Sequence, residues 1–87
     1  MRYVSDEFTL HPLLWKELDD GTGIYYDLYI EDAVEIDPRF IMCNSGNVQI
    51  QYDSFKDHVL RLVAPGYGLS DVAYTFKVYV VYGIMEG

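Results

Sequence analysis

The chain has 87 residues, of which 51% are hydrophobic, and a formal net charge of −8 from 14 acidic and 6 basic side chains. A chain of this length supports one hydrophobic core, so we expect a single compact domain over 1–87. The acidic balance argues against direct nucleic-acid binding, and the single cysteine excludes an internal disulfide and a thiolate-rich zinc site.

The first predicted elements are a strand and a short helix. The pattern over 1–10 is ambiguous. It is consistent with a strand that starts at 2–4 and continues at 8–10 after an irregular stretch. Pro12 suits the first turn of a helix over 12–19, which Gly21 would end. Leucines recur there at every fourth position: Leu10, Leu14 and Leu18.

The clearest pattern lies over 24–36, where apolar and polar residues alternate. The apolar side chains occupy even positions: Ile24, Tyr26, Leu28, Ile30, Val34 and Ile36. The odd positions carry tyrosines and acids: Tyr25, Asp27, Tyr29, Glu31 and Glu35. This period of two predicts a strand, bent near Asp32, with one buried and one exposed face. A helix would bring Asp27, Glu31 and Glu35 within repulsive four-residue spacing.

The middle of the chain predicts a hairpin and a second helix. Segments 40–43 and 48–52 flank Asn-Ser-Gly-Asn at 44–47, which is favourable turn chemistry. An apolar face with helical spacing predicts a helix over 55–64. A strand over 58–63 is the competing interpretation.

The last predicted strand covers 72–82, and both of its faces are apolar enough for a central position or a covering partner. Six side chains are expected to be largely buried: Ile24, Tyr26, Leu28, Ile30, Val78 and Val80. The elements together predict an α+β domain with a four- to five-stranded, mostly antiparallel sheet and one or two short helices on one face.

Negative charge is concentrated in the first half of the chain. Residues 1–39 have 10 acids and 3 bases, for a net charge of −7, whereas 40–87 has a net charge of −1. No base occurs among the eight acids between Glu17 and Asp37. Glu17, Asp19 and Asp20 would crowd the end of the first helix, where the dipole disfavours acids by about 0.3–1 kcal/mol each. Such a conflict often marks a functional site.

The interleaved acids and tyrosines predict a surface for a basic partner. Carboxylates steer such a partner and pair with it, while tyrosine rings stack on guanidinium groups. The candidate partner-binding residues are Asp19, Asp20, Tyr25, Asp27, Tyr29, Glu31, Asp32, Glu35 and Asp37. Acids four positions apart on a strand would lie about 13 Å from one another, which is too sparse to imitate duplex DNA without neighbouring acids.

The sequence predicts no catalysis, metal site or cofactor. His11 and His58 are interpreted as turn or surface residues, and no serine stands in a nucleophile elbow. Neither glycine-rich segment has the lysine of a phosphate-binding loop. Cys43 is interpreted as a small buried side chain.

No apolar stretch approaches the roughly 20 residues that span a membrane, so we expect a cytoplasmic protein that makes no membrane contact. Size, charge and tyrosine content are similar to those of phage-encoded anti-defence proteins, including anti-CRISPR proteins, and of immunity proteins of nuclease bacteriocins. This resemblance is one of composition, and it implies an inhibitor that occludes a basic protein such as a nuclease or a nucleic-acid-binding complex, in the host cytoplasm if phage-encoded. The alternatives are a virion component, a homodimer or larger homo-oligomer, a nuclease-immunity protein and a small regulatory ligand-binding domain.

Overall fold

Two antiparallel β-sheets make up the fold. The computed structural model describes residues 1–40, 42–43 and 48–86, with the backbone alone at 40, 42 and 43. Sheet A has four strands: β1 (Arg2–Leu10), β4 (Glu35–Ile36), β5 (Met42–Cys43) and β8 (Phe76–Ile84). Sheet B has four strands: β2 (Lys16–Glu17), β3 (Gly23–Tyr29), β6 (Gln51–Lys56) and β7 (Val59–Pro65). Three short 3-10 turns complete the described elements: Pro12–Leu14, Pro38–Phe40 and Leu69–Val72.

Sheet A is built around β8, which is therefore central, as its two apolar faces predicted. It pairs with all nine residues of β1 on one side and with the short strands β4 and β5 on the other. Sheet B has the order β2-β3-β7-β6, with a register shift in β6 between Tyr52 and Ser54. Every described strand pair is antiparallel, which confirms that part of the predicted fold class.

The core lies between the inner faces of the two sheets. Sheet B contributes Ile24, Tyr26, Leu60, Leu62 and Ala64, and sheet A contributes Leu10, Phe76, Val78, Val80 and Tyr82. Trp15 lies between them, with its ring centroid 5.2 Å from that of Tyr26 and 5.9 Å from that of Phe76. Five of the six side chains predicted to be buried are buried, and Leu28 is half-buried against the same core.

The helix predicted over 12–19 is wrong. Only Pro12–Leu14 forms a 3-10 turn, and Trp15 is already extended, with φ −72° and ψ 143°. An isolated helix this short is marginal in water. The extended path instead buries Trp15 and leads into β2. Because no helix forms, these acids face no helix dipole, and the expected conflict with a dipole carries no evidence for a functional site.

The helix predicted over 55–64 is also wrong, and the competing strand interpretation is confirmed from Val59 onward. Asp57 and His58 have φ values of 53° and 67°, so they form the tight two-residue turn that joins β6 to β7. Aspartate and histidine tolerate this left-handed region better than most side chains. Beyond the turn, Leu60, Leu62 and Ala64 point into the core at strand spacing.

Two further predictions concern strand pairing. The strand expected over 24–36 ends at Tyr29, after which the chain turns at 31–32 and crosses to sheet A as β4. The hairpin expected between 40–43 and 48–52 is wrong for the described residues, because β5 pairs with β8 and β6 pairs with β7. The turn at 44–47 and the Cys43 side chain lie outside the described residues. The two sheets with 3-10 turns replace the single sheet and helices of the predicted α+β domain.

The described part of the chain contains no helix with the length and apolar character needed to cross a bilayer.

Replacing Gly23 with alanine should destabilise the fold. A Cβ atom at Gly23 would lie 2.7 Å from the carbonyl oxygen of Ala64 and 2.9 Å from Cα of Pro65, both of them backbone atoms of the neighbouring strand. Such overpacking typically costs about 1–3 kcal/mol of unfolding free energy. Gly68→Ala is the control, because its nearest neighbour beyond the local chain is 4.0 Å away. Urea unfolding that finds equal losses for the two variants would contradict the close packing of β3 on β7.

Candidate functional site

The outer face of sheet B contains the tyrosines and the aspartate that alternate in the sequence. Tyr25, Asp27 and Tyr29 stand on the solvent side of β3, directly opposite Val63, Arg61 and Val59 of β7. Residues paired in this way lie on the same face of a sheet. The strand register predicted for 24–29 is therefore confirmed, and it places three candidate binding residues side by side.

An ion pair occupies the centre of this face. Nε and Nη2 of Arg61 donate hydrogen bonds to the two carboxylate oxygens of Asp27, at 2.8 and 2.9 Å. The guanidinium carbon also lies 4.3 Å from the ring centroid of Tyr25, within cation–π range. The hydrogen bonds from Arg61 hold the pKa of Asp27 below its usual value. Asp27 thus forms part of an ordered pair rather than a free acidic contact.

Large exposed side chains and two shallow grooves surround this pair. The Tyr29 residue is 61% exposed and Leu14, beside β2, is 55% exposed. A groove of about 140 Å³ is lined by Leu14, Lys16, Tyr25 and Asp27. A groove of about 320 Å³ on the other side is lined by Asp27, Ser54, Lys56, Asp57, Val59 and Arg61. Because both grooves include Asp27, the face is continuous from Leu14 to the β6–β7 turn.

The centre of this outer face is close to neutral. Lys16, Lys56 and Arg61 line the grooves beside Asp27 and Asp57. The sequence run without a base between Glu17 and Asp37 therefore does not produce a surface without bases, since β2, β6 and β7 supply Lys16, Lys56 and Arg61. The surplus of negative charge lies at the two ends of this sheet and on the rest of the molecule.

Asp19 and Asp20 form one acidic end, in the turn between β2 and β3. Oδ1 of Asp20 accepts hydrogen bonds from the backbone N–H of Thr22 at 3.0 Å and from its hydroxyl at 2.6 Å. Both hydrogen bonds lower the pKa of Asp20, and the bond from the Thr22 hydroxyl has the larger effect on it. Gly21 provides the left-handed backbone of the turn, with φ 73°. Asp20 therefore orders this loop, whereas Asp19 has no ion pair among the described residues.

Glu31 and Asp32 form the opposite acidic end, where the chain leaves β3. The β6–β7 turn anchors this end: the N–H of Ile30 donates to the carbonyl of His58 at 2.8 Å. Nδ1 of His58 lies 2.9 Å from the Ala33 carbonyl oxygen, to which it donates. The His58 ring is 6.1 Å from that of Tyr29. Tyr29 is thus packed near His58, whose turn neighbour is Asp57, and it is followed in the chain by the exposed acids Glu31 and Asp32.

Glu35 and Asp37 do not join this surface. Glu35 lies in β4 opposite Gly83 of sheet A, and the N–H of Asp37 donates to the carbonyl of Val81. Asp37 accepts two hydrogen bonds from the Arg39 guanidinium, which lower its pKa. The predicted single strand face that aligned Asp27, Glu31 and Glu35 is therefore wrong, because the turn at 31–32 transfers the chain to the other sheet.

Two exposed leucines that the sequence pattern did not indicate, Leu13 and Leu69, lie beside one apolar groove. Leu13 is 93% exposed and Leu69 is 42% exposed, and both line an apolar groove of about 340 Å³ together with Pro12, Trp15 and Ala73. The Nε1 atom of Trp15 is buried and has no hydrogen-bond partner among the described residues. The helix predicted over 12–19 rested on the spacing of Leu10, Leu14 and Leu18, and no pattern in the sequence pointed to Leu13 or Leu69.

Replacing Asp27 with asparagine should lower stability modestly and flatten its acid dependence. The ion pair contributes fully above the ordinary aspartate pKa and is lost as pH falls through the lower folded pKa. Both side chains are about 40% exposed, so the loss at neutral pH should stay below about 1 kcal/mol. Urea unfolding at pH 7 and pH 3 measures it, with Asp19→Asn as control. If the free energy of unfolding changes between pH 7 and pH 3 by the same amount in Asp27→Asn as in the wild type, that result would contradict a role for this pair.

No described group of three or more histidine, cysteine, aspartate or glutamate side chains is arranged to hold a metal ion. In comparisons with family models, curated proteins and solved structures, nothing matches this chain.

Proposed function

We propose that this protein is a small inhibitor that binds a basic, nucleic-acid-handling protein and covers its basic surface. The outer face of sheet B is the contact surface. Its centre consists of Tyr25, Tyr29 and Leu14 around the Asp27–Arg61 pair, and its ends are the acidic turns at 19–20 and 31–32. The partner class includes nucleases and nucleic-acid-binding complexes, and the encounter takes place in the cytoplasm, in that of the host if the protein is phage-encoded.

The observation that carries this proposal is the exposure of Tyr29 and Leu14 on a sheet face whose strand β3 begins after one acidic turn and ends before another. Protein interfaces commonly have an aromatic or aliphatic centre surrounded by a polar rim. Tyrosine provides contact area at a low cost in conformational entropy. Tyr29 is 61% exposed at the end of β3, its ring lies 6.1 Å from that of His58, and the exposed acids Glu31 and Asp32 follow it in the next turn.

The charge distribution supports a basic partner. Only Glu7, Asp27 and Asp37 among the 14 acids form ion pairs within the described residues. The remaining carboxylates give the molecule a long-range negative potential that accelerates association with a positive surface. A nucleic-acid-binding groove is such a surface, because it is built to neutralise phosphates.

The near-neutral centre of this face supports an ordinary protein–protein contact rather than imitation of the charge pattern of a nucleic acid. The guanidinium of Arg61 is held between Asp27 and the Tyr25 ring, so its hydrogen-bonding groups are ordered before binding. Ordered groups lose less conformational entropy when they enter an interface. The acids at each end steer the partner, and the ordered centre determines how long it stays.

Capture of the partner tests this proposal. The immobilised protein is exposed to an extract of its natural host at about 50 and 500 mM salt, and the bound proteins are identified and purified. We expect a protein with a basic nucleic-acid-binding surface that is retained better at low salt, because salt screens exposed charges. The protein should also reduce the nucleic-acid-dependent activity of the purified partner. Retention of only acidic proteins, or an unaffected activity, would contradict the proposal.

A matched pair of variants shows whether the outer face of sheet B is responsible. Glu31→Lys together with Asp32→Lys reverses two charges at one end of this face. Glu35→Lys together with Glu86→Lys makes the same charge change away from it. The first pair should reduce capture more than the second, whereas equal losses would indicate an effect of net charge alone and contradict the assigned surface.

A further inference from the structure

The edge of sheet A formed by β1 is long and regular. Among the described residues, β1 pairs with β8 alone, and all nine of its positions are in continuous register. On the side of β1 away from β8, the backbone N–H and C=O groups of every second residue therefore face outward. The other sheet edges are shorter or interrupted: β2, β4 and β5 have two residues each, and β6 has a register shift. An open edge of this kind is a template for a further strand.

Two opposite charges on β1, Arg2 and Asp6, have no ionic partner in the part of the chain that the structure describes, although Oδ1 of Asp6 accepts a hydrogen bond from the N–H of Glu7 at 2.9 Å. Arg2 and Asp6 both lie on the inner face of sheet A. They pair with Ile84 and Val80, and the even-numbered residues of β8 face the core. Neither forms an ion pair among the described residues. At four residues apart along one strand, they are separated by about 13 Å and do not reach each other.

We propose that two copies of this protein associate through their β1 edges, antiparallel, with Arg2 of each copy opposite Asp6 of the other. The twofold axis passes through the Val4–Val4 pair. The four strands of sheet A then continue into the four strands of the second copy. Because the axis repeats each contact, two Arg2–Asp6 ion pairs form, one on each side of the axis.

The charges on β1 select this register. A twofold axis perpendicular to the sheet pairs only residues that lie on the same face. The numbers of two paired residues therefore add up to an even number, and the axis passes through a single residue position of β1. Centring the pair on Asp6 or Glu7 would place like charges directly opposite, which is unfavourable. Centring it on Ser5 would place Val4 opposite Asp6. The Val4-centred register alone places Arg2 opposite Asp6 twice.

The surroundings of Asp6 are suited to a guanidinium from the second copy. Burial raises the pKa of the Tyr82 hydroxyl, and the nearby carboxylates of Asp6 and Asp32 raise it further. Two carboxylates thus lie within electrostatic reach of one phenolic oxygen on the inner face of sheet A. An arginine brought to this point gains charge-assisted hydrogen bonds, and its alkyl chain covers Tyr82 and Phe8, whose ring centroids are 6.2 Å apart.

This inference does not depend on the proposed function. The dimer uses the edge of sheet A, whereas the partner contact uses the outer face of sheet B, so each copy of the dimer keeps its contact surface free.

Sedimentation of charge-swapped variants tests the dimer. The wild-type protein should show a monomer–dimer equilibrium between about 10 µM and 1 mM, as expected for a small interface. Arg2→Asp and Asp6→Arg should each weaken dimerisation at least about tenfold, because two like-charge pairs replace two attractive pairs. The double variant Arg2→Asp/Asp6→Arg should restore it. A wild-type protein that stays monomeric at 1 mM, or a double variant no better than the single ones, would overturn the proposal.

Disulfide cross-linking tests the register in a Cys43→Ser background. Val4→Cys should form a cross-linked dimer on mild oxidation, since the two copies of residue 4 face each other across the axis. Ser5→Cys is the matched control and should remain monomeric. Preferential cross-linking through position 5 would overturn the Val4-centred register. Circular dichroism of the reduced variants verifies that they remain folded.

Discussion

Replacing Leu60 with alanine is expected to lower the free energy of unfolding by about 2–5 kcal/mol. Leu60 is fully buried, with 0% exposure, and packs between β3 and β6 through its pairs with Leu28 and Phe55. Its truncation removes apolar contacts and leaves a cavity in the only core that the described residues form. A loss of that size is a large fraction of the stability of a small domain.

Leu13→Ala is the matched control, with the same chemical change on a side chain that is 93% exposed. Its effect should remain within about 0.5 kcal/mol, as for most surface substitutions. Urea unfolding followed by the fluorescence of Trp15 measures both variants. Similar losses for the two leucines would contradict the two-sheet fold, because the helix predicted over 55–64 places different residues in the core.

Replacing Tyr29 with alanine is expected to accelerate dissociation from the captured partner by about 30-fold, equivalent to roughly 2 kcal/mol. Tyr29 is the most exposed aromatic side chain on the outer face of sheet B and is flanked by His58. Central aromatic contacts act mainly on the dissociation rate. Surface plasmon resonance measures the two rates separately.

Tyr79→Ala is the control for this prediction. Tyr79 is 44% exposed on the outer face of sheet A, so its loss should leave the partner's dissociation rate unchanged. Asp19→Lys should instead slow association, because charges at the periphery act through steering. A dissociation rate that changes equally in the two tyrosine variants would contradict the assigned contact face.

The alternation over 24–29 was sufficient to predict β3 and which of its side chains face the core, although not the strand with which it pairs. The bend predicted near Asp32 is present as the turn at 31–32, but the crossing to the other sheet could not be predicted, because the even–odd pattern continues through Glu35 and Ile36. A period of two identifies strands but carries no information about which sheet a strand joins. The 57–58 turn was missed because an aspartate–histidine pair is a weaker hairpin signal than one with glycine.

The candidate site was predicted in part for the same reason. Tyr25, Asp27 and Tyr29 share one face because they share one strand, so their placement follows from local pattern. The neutralisation of Asp27 depends on Arg61, which is 34 residues away in sequence and adjacent only through the β3–β7 pairing. An acid-rich segment thus predicts an acidic surface only if the neighbouring strands bring no bases to it.

The most direct test of the proposed function is a competition measurement on the captured partner. A fluorescent oligonucleotide is bound to the purified partner, and the protein is added while anisotropy is recorded. If the outer face of sheet B covers the basic surface, the oligonucleotide should be displaced stoichiometrically, and Tyr29→Ala should require a higher concentration than Tyr79→Ala. A stable ternary complex, with the oligonucleotide still bound at saturating protein, would contradict the account.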